Sequence, residues 1–396
     1  MSESSIPPAT DASRAPNVLQ IVPALDGGGV ARAAVDTAAA VVAAGGRAVI
    51  AAPAAGAMLG ELRRLKVPLL SVPADRDGLV AAWSNARRLR EAMTEHGIDI
   101  VHARSRAAAW TARHLTRAAA VKFVATAHRP TRAESWAGRR MEAAQAQADR
   151  VIAVSDFVAR DIAARHAPPD GRLVTIRAGI NLDRFNPATV RAERVIKLAS
   201  QWRLPDDRRV VLFPGRLTEN RGQRRLIEAV RALGRSDIYC LLVGAGDPPS
   251  SFESTLKRDI ETAGLGGIVG LAPYCADMPA AYMLADVVVA GGGGQGFSRI
   301  IVEAQAMSRP VVCDADGGAV EGMVPDETGW AAASDDPAAL ARALDTALGL
   351  SPERRAVLSH RAQRHVRENF TTEAMCRRTL ELYADVLDRA PAHAAA

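Results

Sequence analysis

Residues 286–304, DVVVAGGGGQGFSRIIVEA, show the pattern that decides the fold. A short β-branched run leads into a glycine-rich loop, and the loop leads into a stretch with helical spacing of its apolar residues. The same order recurs along the chain, where short apolar runs alternate with longer stretches rich in Ala, Leu and Arg. This alternation is typical of βα units on a parallel sheet, so we predict an α/β fold.

The predicted strands fall into two groups. In the first half they are Val18–Val22, Ala48–Ala52, Leu69–Val72, Ile98–His102, Lys122–Thr126, Val151–Val154 and Leu173–Ile176. In the second half they are Arg209–Phe213, Ile238–Val243, Ile268–Leu271, Asp286–Ala290 and Pro310–Cys313. Two such groups in a chain of 396 residues indicate two doubly wound domains.

The domain boundaries follow from composition. Residues 188–206 contain a proline and a polar, arginine-rich run, and we predict a linker there. The N-terminal domain then covers 17–187, and the C-terminal domain covers 207–371. A last amphipathic helix is predicted within 372–390. The Ser-, Pro- and Ala-rich residues 1–16 are predicted to be disordered.

The overall composition is typical of a soluble globular protein, with 48% hydrophobic and 24% charged residues. The first residues lack the basic start and apolar run of a signal peptide, and no run of about 20 apolar residues is present. The four cysteines form no CxxC pair and lie near no histidine at metal-ligand spacing. We therefore expect a cytoplasmic protein in a reducing compartment, without a metal site.

The net charge of +6 and the pI of about 9.5 point to a negatively charged partner. An anionic substrate, an anionic membrane surface and a nucleic acid all fit this charge. Only 4% of the residues are aromatic, and no basic run is interleaved with aromatic residues. A nucleic-acid groove built on base stacking is therefore disfavoured.

Two glycine loops combine a predicted strand end with charge. Gly28 and Gly29 follow the first strand and open a helix, where backbone N–H groups favour an anion, although a tight turn explains them equally well. Gly215 follows a second-half strand, and Arg216 and Arg221 stand five residues apart in the same loop. Two guanidinium groups at this spacing suit a diphosphate, whereas two solvated surface arginines are the alternative.

The loop at 291–298 is the richest in glycine. So many glycines are costly in conformational entropy unless something approaches the backbone closely. If Ser298 starts the helix, the N–H groups of Gly296, Phe297 and Ser298 point at a ligand. Glu303 lies about one and a half turns further on and can accept bonds from a ribose diol, or it is an ordinary charged helix position.

Three further sites complete the candidates. The loop at 315–321, ADGGAVE, is a second polar loop at a strand end, or a plain turn. His102 and His128 both stand at predicted strand ends. A structural role is the more common one for His102, whereas His128 can bond a sugar hydroxyl or shuttle a proton.

Taken in order, these loops resemble glycosyltransferase family 4, the large retaining group with the GT-B fold. The resemblance rests on the loops above and on residues 177–185, RAGINLDRF, and it covers nearly the whole chain. Residues 296–311 look especially like bacterial members that build lipopolysaccharide or other envelope glycans. The resemblance implies two Rossmann-like domains that face each other across a cleft, with the C-terminal helix returning to the N-terminal domain.

The resemblance also implies a nucleoside-diphosphate-sugar donor, a glycolipid or glycan acceptor, and no metal or other cofactor. Arg216 and Arg221 would hold the diphosphate, Gln295 and the N–H groups after it the donor sugar, Glu303 the ribose, and His128 would face the reacting sugar. Tyr274, within residues 273–278, would border the base. Gly28, Gly29 and Gly215 would line the donor loops.

Two positions depart from the family pattern. Gln295 stands where the family has the first glutamate of a paired-glutamate motif, and Arg221 stands where it usually has lysine. Glutamine still bonds a hydroxyl, but it supplies no negative charge to an oxocarbenium-like centre. Arginine keeps the positive charge but changes the geometry.

We therefore predict a retaining hexosyltransferase with a lipopolysaccharide-type acceptor, in peripheral contact with the inner face of the cytoplasmic membrane and without nucleic acid. The alternative is a nucleotide-sugar-binding protein whose catalysis is weak or lost at Gln295. A GT-B-type epimerase or phosphorylase would need different loop chemistry.

Overall fold

The structure is a computed structural model that describes residues 15–72, 79–117, 121–130, 136–246 and 251–389. Apart from its last two residues, the predicted disordered segment 1–16 lies outside the described residues. The chain divides into two compact units. Unit 1 comprises Met1–Gly179 and Thr372–Ala396, and unit 2 comprises Ile180–Thr371.

Unit 1 contains a parallel sheet of seven strands. The strands are β1 (Val18–Ile21), β2 (Ala48–Ala52), β3 (Leu69–Ser71), β4 (Ile100–Ala103), β5 (Lys122–Ala127), β6 (Arg150–Ala153) and β7 (Leu173–Thr175). The helices are α1 (Gly29–Ala43), α2 (Leu59–Arg64), α3 (Leu79–Glu95), α4 (Arg106–Thr116), α5 (Trp136–Ala146) and α6 (Asp156–His166). The strand order is β3-β2-β1-β4-β5-β6-β7, and every pairing is parallel.

Unit 2 contains a parallel sheet of six strands, in the order β10-β9-β8-β11-β12-β13. The strands are β8 (Arg209–Pro214), β9 (Ile238–Val243), β10 (Val269–Ala272), β11 (Val287–Ala290), β12 (Val311–Asp314) and β13 (Trp330–Ala332). The helices are α7 (Ala192–Trp202), α8 (Gln223–Leu233), α9 (Ser251–Thr262), α10 (Met278–Leu284), α11 (Arg299–Ala306), α12 (Pro337–Leu348) and α13 (Pro352–Asn369). Short 3₁₀ turns occur at Pro187–Thr189, Glu219–Arg221 and Val320–Gly322.

The last helix, α14 (Thr372–Asp388), returns to unit 1 and packs against α1. Its apolar side includes Leu382, Tyr383 and Val386, which are buried in the same core as Val35 of α1. This apolar stripe at helical spacing explains why the C-terminal segment leaves unit 2. The predicted two-domain α/β fold is confirmed, including the return of the C-terminal helix.

The predicted linker at 188–206 needs correction, because these residues lie inside unit 2. They form α7, which packs against α10. Leu198 is buried in the unit 2 core, and Val195 and Trp202 are partly buried against it. The three side chains recur at i, i+3 and i+7, so they form an apolar helix face that a flexible linker would leave exposed.

Each sheet has one point where the chain reverses its direction of strand addition. In unit 1 this point lies between β1 and β4, and in unit 2 it lies between β8 and β11. Ligands of doubly wound sheets bind at the carboxyl ends of the strands beside such a point. The loops after these four strands are therefore where the functional side chains are expected.

Candidate functional site

The loop after β8 carries the two predicted phosphate-binding arginines. Arg216 is exposed, and its guanidinium forms no hydrogen bond or ion pair with any residue that the structure describes. The backbone beneath it is fixed, because Gln223 Nε2 donates to the Arg216 carbonyl at 2.8 Å and the N–H of Leu217 donates to Ala245. Arg216 is therefore a cation on a fixed backbone, available to an anionic ligand.

The glycines after β11 pack against the β8 loop. A Cβ atom on Gly291 would lie 2.9 Å from the Arg221 carbonyl oxygen. A Cβ atom on Gly292, whose φ is +100°, would lie 2.7 Å from the carbonyl oxygen of Asn220 and 2.5 Å from Gln295 Nε2. The close approach that these two glycines allow is thus made by the protein's own backbone. The sequence predicts a close contact there but assigns it to a ligand.

The side chain of Gln295 links this loop to the second arginine. Its Oε1 accepts a hydrogen bond from Arg221 Nη1 at 2.7 Å, and its Nε2 donates to the Gly291 carbonyl. Its backbone carbonyl accepts from the N–H of Gly318, in the loop after β12, at 2.8 Å. Gln295 therefore orients the guanidinium of Arg221 and joins three strand-end loops.

A buried ion pair that sequence reasoning missed supports the same loops. Asp314, at the end of β12, pairs with Arg225 of α8 and accepts a hydrogen bond from the N–H of Gly292. Burial raises the pKa of Asp314, and the charge and hydrogen bond of Arg225 oppose that rise. The sequence signal that could have revealed this pair is an aspartate directly after the apolar run 311–313, since a charged residue in such a place needs a partner.

Helix α11 begins after Ser298, as the sequence predicts, although the Ser298 side chain forms no capping bond. Within the described part of the chain, no group accepts a hydrogen bond from the backbone N–H of Gly296, Phe297 or Ser298. The Phe297 ring packs on Phe370 with their centroids 5.7 Å apart. The three N–H groups thus remain available at the start of the helix, where negative charge is favoured.

Glu303 is buried in α11, with 9% of its surface exposed. Its Oε2 accepts from the Tyr282 hydroxyl at 2.9 Å, and its Oε1 lies 3.0 Å from Arg299 Nη2. Burial, followed by the charge of Glu303, raises the pKa of Tyr282 well above its usual value, so this hydroxyl stays a donor. Each carboxylate oxygen can accept more than one bond, so the oriented carboxylate keeps capacity for a ligand hydroxyl.

Tyr274 follows β10 and is 62% exposed. The chain after it is fixed, because Asp277 caps α10 through the N–H of Ala280 and forms an ion pair with Arg194 at 2.5 Å. An exposed aromatic ring beside an anchored loop is suited to stacking on a planar group.

Gly28, Gly29 and His128 belong to unit 1 rather than to the loops described above. Gly28 immediately precedes α1, and its N–H donates to Asp26 Oδ1 at 2.9 Å. His128 follows β5 and is half-buried. Its Nε2 is buried and has no hydrogen-bond partner among the described residues. Burial, with smaller contributions from Arg104 and Arg129, lowers the pKa of His128 to about 3.

His102 is structural, as expected. Its Nδ1 lies 2.6 Å from the Tyr383 hydroxyl, and its Nε2 lies 2.7 Å from the Thr126 hydroxyl. Burial lowers the pKa of His102 well below its usual value, and the charge of Arg104 lowers it further. His102 is therefore a neutral group that joins the sheet to α14.

Two family models match the chain in succession. Glycosyltransferase Family 4 matches residues 27–184, and Glycosyl transferases group 1 matches residues 196–365. A D-inositol 3-phosphate glycosyltransferase of Salinispora tropica is 32% identical over 256 residues, which are 62% of this chain and 53% of that protein. The chain thus spans about half the length of this curated relative.

Solved structures share the fold. A glycosyltransferase from Rickettsia africae is 27% identical, with a TM-score of 0.85 over 95% of this chain and 100% of that one. HepE of Anabaena, solved with UDP and glucose, is 21% identical, with a TM-score of 0.82 over 93% of this chain and 99% of that one. The second likeness concerns the fold alone.

Proposed function

This chain belongs to the glycosyltransferases, since matched models cover both of its units, and we propose that it transfers a hexose from a nucleoside-diphosphate sugar to a glycolipid or envelope-glycan acceptor with retention of configuration. In this reaction the bond from the anomeric carbon to the diphosphate breaks. A bond to an acceptor hydroxyl forms, and the hydroxyl proton leaves. The observation that carries the proposal is the pair of arginines at the point of strand reversal in unit 2.

Arg216 and Arg221 would bind the diphosphate and stabilise the charge that develops on it as it leaves. Two features support this role. Arg216 has no partner among the described residues, and Gln295 holds Arg221 in one orientation at 2.7 Å. Oriented cations at the site of developing charge are the main catalytic device of electrostatic sites. Guanidinium groups also match phosphate oxygens in a bidentate way.

The rest of the donor would lie on the neighbouring loops. The N–H groups of Gly296, Phe297 and Ser298, which have no acceptor among the described residues, suit hydroxyl or phosphate oxygens, and Gln295 borders the same loop. The buried Glu303 carboxylate suits the ribose diol. The exposed ring of Tyr274 suits the base. Gly215, with a φ of +156° and open space beside its Cβ direction, would let the diphosphate approach the backbone.

The alternative function is nucleotide-sugar binding with weak or lost transfer. It is favoured by one observation, the neutral Gln295 whose amide is bonded to Arg221 and Gly291. Gln295→Glu separates the two functions because it introduces a carboxylate beside the proposed donor sugar. A transfer rate that appears only in this variant favours binding as the natural function.

A second acceptor class comes from the Salinispora relative, whose name gives D-inositol 3-phosphate as its substrate. An acceptor of this class is a small polyol phosphate rather than a lipid-linked glycan. Both classes offer a hydroxyl for transfer, and they differ in whether a membrane is involved.

A basic and aromatic face on α4 and α5 supports the lipid-linked acceptor. Trp136 is 58% exposed, and the guanidinium carbon of Arg140 lies 4.9 Å from its ring centroid. Arg113 of α4, Arg117 directly after α4 and Arg140 of α5 form no ion pair with any described residue. Helices α4 and α5 pack against each other. Burial lowers the pKa of Arg113, and the charges of Arg117 and Arg140 lower it further.

This face suits the surface of an anionic membrane, where each arginine contributes about 1 kcal/mol and tryptophan prefers the interface. Among the described residues, no helix has both the length and the apolarity needed to cross a bilayer. We propose peripheral contact with the cytoplasmic face of the inner membrane.

A cosedimentation experiment tests this contact. Vesicles that contain phosphatidylglycerol should bind the wild-type protein, whereas neutral vesicles should not. The double variant Arg117→Glu/Arg140→Glu should not bind either kind of vesicle. Arg231→Glu, an exposed position in unit 2, is the control.

A donor screen tests the enzymatic proposal. Purified protein is mixed with UDP-, GDP- and ADP-hexoses, and both the melting temperature and the slow hydrolysis of each donor are followed. One donor should stabilise the fold and be hydrolysed, and Arg216→Ala and Glu303→Ala should abolish both effects. The matched control is Arg231→Ala, which removes an exposed arginine from the last turn of α8.

The other outcomes are informative. A donor that binds but is never turned over, even when envelope lipid extracts are added, supports the binding-protein alternative. A screen in which no donor binds would refute the assignment of these loops to a donor site.

A further inference from the structure

Arg104 is a buried cation that the proposed donor chemistry does not use. It follows β4 and is only 5% exposed. Its Nε and Nη2 donate to Gln20 Oε1 at 2.8 and 2.6 Å, and Nη2 also donates to Thr37 Oγ1 at 2.8 Å. These acceptors are neutral. Neutral groups therefore hold the guanidinium in position, and no carboxylate among the described residues forms an ion pair with it.

The groups that hold Arg104 are themselves fixed. Gln20 Nε2 donates to the Ala34 carbonyl at 2.9 Å, and the Thr37 hydroxyl donates to the Ala33 carbonyl at 2.7 Å. Both partners lie on β1 or α1, the elements that form the point of strand reversal with β4. Arg104 thus has one defined orientation before any ligand arrives.

One nitrogen of Arg104 remains unused. No described residue accepts a hydrogen bond from Nη1. This nitrogen is not fully buried, so a ligand can reach it. Burial lowers the pKa of Arg104, and the groups that oppose this decrease include Tyr383 and Asp36. A guanidinium stays protonated in proteins, so the charge persists in this buried position. Such a buried charge is unfavourable unless a counter-charge reaches it.

His128 supplies a second unused group beside this cation. In the sheet, Ala103 pairs with Ala125, so Arg104 and His128 follow neighbouring strands at the same edge. The charge of Arg104 lowers the pKa of His128, after the larger effect of burial. His128 Nε2 is buried and unpartnered among the described residues. One nitrogen of Arg104 and one nitrogen of His128, each without a hydrogen-bond partner among the described residues, therefore lie at the same carboxyl edge of unit 1.

We propose that Arg104 and His128 form a binding site for an anionic group, a phosphate or a carboxylate, on the acceptor. This inference rests on the proposed function for the existence of an acceptor. Arg104 Nη1 donates to the anion, the imidazole of His128 donates a second bond, and burial strengthens both. The acceptor hydroxyl then lies near the histidine that would face the reacting sugar. Neutral glycans would be poorer acceptors than phosphorylated or acidic ones.

The test follows the histidine side chains by NMR while inorganic phosphate, or in a second arm acetate, is titrated into the full chain. The protein has eight histidines, and His128→Asn identifies the His128 signal. We expect a saturable shift of this signal, with the tighter of the two anions identifying the acceptor group. Arg104→Gln should weaken the apparent affinity at least roughly tenfold, and Arg104→Lys should weaken it less.

Arg216→Ala is the matched control, because it removes a cation from unit 2 and should leave the His128 response unchanged. A His128 signal that neither anion moves in the wild-type protein would overturn the proposal, and this arm needs no variant to fold. An equal response in wild type and folded Arg104→Gln would also overturn it. If His128 responds but no nucleotide sugar is hydrolysed, the anion site stands and the transferase proposal falls.

Discussion

The two points of strand reversal in this molecule differ in the groups that form them. In unit 2, the backbone of Gly291 and Gly292 packs against the carbonyls of Arg221 and Asn220. The side chain of Arg216 in the same region is exposed. In unit 1, the corresponding edge carries polar side chains, namely the buried His102 and Arg104 and the half-buried His128. Glycines define the first edge, and hydrogen-bonded side chains define the second.

This difference matches two kinds of recognition. A glycine-lined edge with the guanidinium groups of Arg216 and Arg221 suits a diphosphate, which carries a high charge and needs close approach to the backbone. A buried edge with a few fixed donors suits discrimination between partners, because a buried group left unpaired carries a large penalty. We therefore expect unit 2 to determine the reaction rate and unit 1 to determine the choice of acceptor.

The largest expected effect is the loss of catalysis in Arg216→Ala. If the exposed arginine stabilises the leaving diphosphate, the transfer rate should decrease by about 10²–10³-fold, as for removal of one preorganised donor. The melting temperature without ligand should stay the same, since the side chain has no partner among the described residues. Steady-state donor hydrolysis and a thermal scan measure both. A change of less than threefold in the rate would contradict the contrast between the two edges.

Backbone packing in unit 2 predicts the next largest effect. Gly292→Ala should lower the free energy of unfolding by about 2–4 kcal/mol, because φ is +100° and the new Cβ would collide with Asn220 and Gln295. Gly234→Ala is the matched control. Its φ of +64° carries the same left-handed cost of about 1–2 kcal/mol, but no atom lies within 4 Å of the new Cβ. Urea denaturation of both variants measures the difference, and equal losses would show that packing is not the reason for Gly292.

Much of the fold was predictable because each strand carries its own apolar signal. Each predicted strand coincides with an observed strand, with shifts of at most two residues at the ends. The strand that was missed, β13, has only three residues, Trp-Ala-Ala, and lacks a β-branched side chain. The prediction of a linker was wrong because it gave more weight to the proline and the polar run than to the apolar face of α7. Reading Val195, Leu198 and Trp202 as one helix face would have corrected it.

The candidate site was less predictable because its key contacts join distant residues. Local sequence shows that Gly291 and Gly292 are unusual, but not that Asn220 and Arg221 approach them. Arg104 is one of 50 lysines and arginines, and nothing in its neighbourhood distinguishes it from a surface cation. Its burial depends on Gln20 and Thr37, which are 84 and 67 residues away.

The buried edge of unit 1 predicts a pH dependence of stability. The folded state binds a proton on His128 only near a pKa of about 3, whereas the unfolded chain binds it near 6.5. Between pH 3 and pH 6.5, the chain therefore takes up a proton when it unfolds. Stability is complete above about pH 6.5 and decreases by about 1.4 kcal/mol per pH unit as the pH falls toward 3. At pH 5 the loss from His128 is about 2 kcal/mol, and His102 adds to it in the same direction.

Denaturation curves at pH 7 and pH 5 measure this loss, and His128→Gln should remove its share. A control for general acid effects is His360→Gln, since His360 lies on α13 in unit 2. If the wild type and His128→Gln lose the same stability on acidification, the imidazole is not held neutral by its surroundings.

The smallest effect tests whether the unit 1 edge depends on α14. Tyr383→Phe removes the hydroxyl that lies 2.6 Å from His102 Nδ1 and leaves that nitrogen buried without a partner. The free energy of unfolding should decrease by about 1–2 kcal/mol. Tyr274→Phe, at an exposed position, should change it by less than about 0.5 kcal/mol. Since His102 also bonds Thr126 on β5, loosening it should broaden the NMR signal of His128, two residues further along the chain. A stable Tyr383→Phe variant with an unchanged His128 signal would mean that the sheet alone orders this edge, and that the returning helix contributes only apolar packing.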